Sequence, residues 1–100
     1  MSDTLTKERT ISKDRILEPK KYKVLLMNDN STPMDFVVAL LVKIFKHSVE
    51  SAETITMRVH NEGSGVAGIY SYEVAEQKGL EGTNLARQYG HPLVLKVEAE

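Results

Sequence analysis

At 100 residues, with 41% hydrophobic and 27% charged content, the chain has the size and composition of a single globular domain. Thirteen basic against fourteen acidic residues leave a formal net charge of -1, a balance that gives no support to nucleic-acid or polyanion binding. The absence of cysteine excludes disulfides and thiolate chemistry and fits a reducing cytoplasm, while the apolar run Val37 to Val42 is far too short for a bilayer.

Residues 1–20 are dominated by Ser, Thr, Lys, Glu, Asp and Arg, with scattered Leu and Ile. Such a stretch buries too little apolar surface to offset its ordering entropy, so a flexible tail is expected. It has no apolar segment behind its basic residues and does not read as a secretory signal. Pro19 marks the boundary with a core domain over 21–100.

Tyr22 to Met27 has the aliphatic, β-branched bias of a buried strand. The polar stretch Asn28-Asp29-Asn30-Ser31-Thr32 follows, rich in side chains that bond nearby backbone. Thr32 before Pro33 reads as an N-cap with proline at the first helical position, and Asp35 complements the helix dipole. From Phe36 onward, Val37, Leu40, Leu41, Ile44 and Phe45 recur at helical spacing. Ser48 caps a second helix from Val49, in which Val49, Ala52, Ile55, Thr56, Val59 and His60 approximate one face. Asn61 to Gly65 breaks it, with Gly63 suited to a left-handed ending, and Val66 to Tyr70 is a short strand.

Ser71 starts a third helix, in a displaced capping box with Val74. Gly79 and Gly82 lie inside it, each costing about 1 kcal/mol relative to alanine, which leaves a bend or a break into two helices open. His91-Pro92 ends it, and Leu93 to Val97 is the last strand. The order β-α-α-β-α-β predicts an α+β fold, a small three-stranded antiparallel sheet with three helices packed on one face.

Catalytic signatures are missing. His47, His60 and His91 form no short-spaced ligand pair for zinc, no nucleophile elbow of the G-x-S-x-G kind is present, and no Gly-rich phosphate loop appears. The sequence therefore reads as that of a non-enzyme. On residue chemistry alone, the 28–34 junction is either a well-capped turn or a set of acceptors for a donor-rich group. His60, which offers one donor and one acceptor when neutral, is either an ordinary helix-end histidine or a partner of those acceptors.

The stretch Tyr22 to Val37, YKVLLMNDNSTPMDFV, resembles the signature of the ClpS family, the small adaptors of the Clp ATP-dependent protease, close to Y-K-V-x-L-x-N-D-D-x-T-P-M-E-F-V. Val59-His60, the run Tyr70 to Lys78 and His91-Pro92-Leu93 match further, in the family's order. The resemblance implies a cytoplasmic, monomeric adaptor without cofactor, metal, nucleic-acid or membrane partner. Such an adaptor binds N-degrons, proteins beginning with Leu, Phe, Tyr or Trp, and delivers them to an unfoldase of the ClpA or ClpC type. Carried onto this sequence, Asn28, Asp29, Asn30, Thr32 and His60 would meet the substrate's α-amino end. Met34, Val37, Thr56, Val59 and Leu93 would line the side-chain pocket, with Met34 as a gate against β-branched residues. Glu73 and Lys78 would belong to the unfoldase-docking surface, and the tail to the segment engaged during delivery.

Five positions depart from the pattern, among them Gly79 and Gly82, which interrupt a helix usually richer in apolar residues. Asn30 stands where the family has a second aspartate, and an amide lacks the charge that makes such bonds about twice as strong, so weaker or shifted binding is expected. Ser31 replaces a commonly aromatic residue, and Thr56 replaces a frequent methionine, which implies a more polar or roomier wall. A non-catalytic interaction domain of the same element order, such as the ribosomal stalk's carboxyl-terminal domain, and a small hydrolase using His60 and Asp29 are the competing readings.

Overall fold

The computed structural model describes residues 20–100; the tail expected over 1–20 lies outside them except for Lys20. Six elements follow in the order β1 (Tyr22–Met27), α1 (Met34–Lys43), α2 (Val49–Glu62), β2 (Ser64–Tyr70), α3 (Tyr72–Gln88) and β3 (Val94–Ala99). The strands form one antiparallel sheet in the order β2-β1-β3. Alternation in β1 sends Val24 and Leu26 into the core, fully buried, while Leu25 and Met27 stay half-buried on the opposite face. Val24 and Leu26 join Leu40, Leu41, Ala52, Ala75, Ala86 and Leu93 in one hydrophobic cluster, the two-layer solution expected for a small sheet with helices.

Helix α1 starts differently from the sequence reading. Pro33, not Thr32, takes the N-cap position, with φ -63° and ψ 144° and no side-chain cap bond. Its carbonyl accepts from the N–H groups of Phe36 and Val37 at 3.1 and 3.3 Å. With Pro33 extended, Thr32 lies one residue outside the cap position, and its hydroxyl donates to Asp29. At the other end, the N–H of His47 donates to the Leu41 carbonyl at 3.2 Å, closing the helix with Lys46 at φ 61°. Glycine is the usual occupant of such a left-handed closing position, and a lysine there costs about 1 kcal/mol.

The cap predicted for α2 forms, Ser48 accepting from the N–H of Ser51 at 3.1 Å, and Gly63 ends the helix at φ 93°. Its buried face is narrower than the spacing suggests, since Val49 and His60 are exposed. Strand β2 begins at Ser64, two residues before the predicted start, because Ser64 and Gly65 pair with Met27 and Leu26. Only glycine permits the approach at Gly65, where a Cβ would sit 2.9 Å from Val59 Cγ2.

Helix α3 runs unbroken through Gly79 and Gly82. Both glycines are buried against β3: a Cβ at Gly79 would lie 3.5 Å from Val97, and one at Gly82 would collide with Leu95. Close helix–sheet packing offsets their poor helix propensity. No capping box forms, since Val74 has no acceptor to offer and the Ser71 side chain makes no cap bond.

Candidate functional site

The junction after β1 is folded by one carboxylate. Asp29 Oδ1 accepts from the backbone N–H groups of Ser31 and Thr32 at 2.8 and 2.7 Å, and Oδ2 accepts from the Thr32 hydroxyl at 2.9 Å. Burial alone would raise this carboxyl's pKa, but the Thr32 and Ser31 N–H groups, the Thr32 hydroxyl and the charge of His91 outweigh it and hold the group below its ordinary value. The junction is then pinned to α2, because the N–H of Asn28 donates to the Gly63 carbonyl at 2.9 Å. That bond brings Asn28 beside the last turn of α2, where His60 sits.

The result is a pocket at the end of the sheet, lined by Met27, Asn28, Asp29, Thr32, Met34, Val37, Thr56, Val59, His60 and Leu93. Polar side chains from the junction and His60 share it with apolar walls from α1, α2 and the residue before β3. Val37, Val59 and Leu93 are buried, whereas Met34 is 40% exposed. Thr56 is the one buried polar residue among those described, at 4% exposure. Its hydroxyl donates to the Ala52 carbonyl at 2.7 Å, so its only proton is committed to the helix backbone. The pocket encloses about 40 Å³, room for a few waters, whereas an apolar cavity that admits benzene measures about 150 Å³. Exposed, unbranched Met34 is the wall residue with the most freedom to move.

Asn30 is exposed and is absent from the lining. Glu73 lies exposed in the first turn of α3, away from the pocket. Lys78, further along α3, is half-buried; its ammonium donates to the Ile44 carbonyl at 2.8 Å and lies 5.8 Å above the Tyr70 ring.

The positioning roles of three residues escaped the sequence reading. Arg87 Nη1 donates to the carbonyls of His91 and Leu93, both at 2.8 Å, fixing the turn that carries Leu93 into the pocket. His91 packs edge-on against Phe36, centroids 4.6 Å apart, joining that turn to the start of α1. Gly63 supplies the carbonyl that holds Asn28. The sequence singled out Gly63, as a helix-ending glycine, and His91, at the helix end and within the His91-Pro92-Leu93 match, but not these roles, and it carried no signal for Arg87.

The family model "ATP-dependent Clp protease adaptor protein ClpS" matches residues 17–96. The chain belongs to the ClpS family. A ClpS adapter protein of Treponema denticola is 45% identical over 89 residues, covering 89% of this chain and 88% of its own. One of Helicobacter hepaticus is 47% identical over 83 residues, covering 82% and 84%. Among solved structures, ClpS2 of Agrobacterium tumefaciens bound to L-phenylalaninamide superposes with a TM-score of 0.81 at 37% identity, over 83% of this chain and all of that one. The ClpS-family membership makes the chain an adaptor of the Clp protease, and the β-α-α-β-α-β fold is that of the family.

Proposed function

We propose that this adaptor binds proteins through a bulky hydrophobic N-terminal residue with a free α-amino group, and delivers them to a ClpA- or ClpC-type unfoldase. The observation that carries the reading is the division of one pocket into a polar mouth, Asn28, Asp29, Thr32 and His60, and apolar walls, Val37, Val59, Met34 and Leu93. A chain's first residue has the same division. Its ammonium needs acceptors, which the Asn28 amide oxygen, the free lone pairs of Asp29 and the His60 imidazole can supply. Its side chain gains about 1.5–3 kcal/mol on burial. The related ClpS2 was solved with L-phenylalaninamide, which has a free amine, a benzyl side chain and an amide where the first peptide bond would be.

Selectivity for true N-termini follows from desolvation, because an acetylated or internal residue leaves the polar mouth unpaired. Isothermal titration with Leu-, Phe-, Trp- and Val-initiated peptides and an acetyl-Leu control tests this. Leu and Phe peptides are expected to bind at least 100-fold more tightly than acetyl-Leu. Equal affinity for Leu and acetyl-Leu removes the amine-reading role. Glu73, Lys78 and the tail belong in this reading to the unfoldase-facing side.

A further inference from the structure

Without cysteine, the chain keeps all its sulfur in four methionines, Met1, Met27, Met34 and Met57. No thiolate competes for an oxidant, so two-electron oxidation falls on thioethers, and exposure decides which react first. Among the described residues, Met34 is 40% exposed and Met57 47%, while Met27 is half-buried. Met27 and Met34 line the pocket at the sheet's end; Met57, on α2, does not. Met34 is therefore the one methionine among the described residues that is both exposed and part of the pocket.

Its surroundings make the oxidation state of that sulfur matter. The thioether is apolar and polarisable, and adapts to apolar side chains of differing shape. The sulfoxide carries a polar oxygen on a chiral sulfur, and that oxygen needs a donor once an incoming side chain covers it. Both hydroxyls in the lining have committed their protons, Thr32 to Asp29 and Thr56 to the Ala52 carbonyl. The side-chain donors left in the lining are the Asn28 amide and the His60 imidazole, groups that in the proposed function face the substrate's α-amino end. An oxidised Met34 either turns its oxygen to water and leaves the wall, or draws Asn28 or His60 away from the substrate. Both routes lose apolar contact.

We propose that Met34 is an oxidation site, where conversion of the thioether to the sulfoxide by a peroxide turns down the binding of apolar N-terminal residues and reduction restores it. The Met34 sulfur lone pair attacks one oxygen of hydrogen peroxide; an S–O bond forms and the O–O bond breaks. The departing hydroxide takes the proton of the transferred oxygen, leaving the sulfoxide and one water. Sulfur is oxidised by two electrons and the peroxide reduced by two. The inference rests on the proposed function of the pocket and adds a control on that same site.

The full chain is treated with graded hydrogen peroxide, sulfoxide at each methionine is quantified by peptide mass spectrometry, and a Phe-initiated peptide is titrated into each sample by calorimetry. Affinity is expected to fall with the fraction of Met34 sulfoxide, about 10-fold at full conversion, and not to follow that of Met57. Methionine sulfoxide reductases of both epimer specificities are expected to restore it. Saturating peptide should slow oxidation of Met34 at least fivefold and leave that of Met57 unchanged, because an occupied pocket covers the Met34 sulfur. After the same treatment, Met34→Leu should keep its own untreated affinity within twofold, whereas Met57→Leu should lose affinity as the wild type does. Met34 sulfoxide formed without loss of affinity overturns the proposal. An equal loss in Met34→Leu also overturns it, assigning the effect to Met27 or to unfolding. A wild-type chain that fails to bind the peptide before treatment removes the pocket reading and the inference together.

Discussion

Asp29 shows how one side chain can be structural and chemical together. Three of its acceptor positions are spent on Ser31 and Thr32, which fold the junction and hold its pKa below the ordinary carboxylate value. A depressed native pKa means the carboxylate stabilises the fold above its unfolded-state value, and the contribution is lost as pH falls through the lower native value. Asp29→Asn keeps one acceptor oxygen but loses the charge, so it should cost about 1 kcal/mol at pH 7. In urea melts across pH, that gap should close as pH falls through the carboxyl's lowered native pKa; a gap that persists once the carboxyl is protonated would mean the charge is irrelevant. Thr56 stands in contrast. With its proton committed to Ala52, it acts as a small wall residue, and Thr56→Met should weaken Trp- and Phe-initiated peptides more than Leu-initiated ones, about 10-fold against threefold by titration. Asn30→Asp places a charge at an exposed rim position, worth at most about 1 kcal/mol. Binding should tighten by about two- to fivefold at low salt, and the gain should vanish at high salt.

Helix α3 illustrates a propensity penalty overruled by packing. Gly79 and Gly82 let the helix lie close on β3, yet the two positions differ. A methyl at Gly79 meets Val97 at an ordinary 3.5 Å, whereas one at Gly82 collides with Leu95. Gly79→Ala should therefore gain most of the helix propensity difference, about 0.5–1 kcal/mol, seen as a Tm rise of about 3–6 °C. Gly82→Ala should gain nothing, since Leu95 must shift to admit the methyl. Equal Tm changes in differential scanning calorimetry would refute the packing account. The α3–β3 turn is coupled to the pocket through Arg87, and Arg87→Met, which keeps the stem but loses both carbonyl bonds, should loosen Leu93. A three- to tenfold loss of peptide affinity, with Tm little changed, is the expected signature.

Over the whole molecule, the pocket at the sheet's end is small, half apolar, and framed by one residue or more from each of β1, the junction, α1, α2 and the strand-preceding turn. In the proposed reading, Met34 sets the volume open to a side chain. Met34→Ala should admit Val- and Ile-initiated peptides, raising their affinity about 10-fold, while Leu-initiated peptides change less than threefold; an unchanged preference would assign the gate elsewhere. No helix among the described residues is long and apolar enough to cross a membrane.

The element order, the cap at Ser48, the stop at Gly63 and the likeness to the ClpS family were all written in local sequence, because propensity, capping chemistry and a dense signature act over a few residues. Tertiary structure decided the rest. It moved the cap of α1 from Thr32 to Pro33, since the junction folded on Asp29 leaves Pro33 extended, and kept α3 whole, since β3 needs its glycines. It also left Asn30 outside the pocket that its neighbours line. The Gly63 carbonyl that holds Asn28 joins segments distant in sequence, and Arg87 reaches two carbonyls of the turn that follows its own helix; no propensity or capping rule announces either bond.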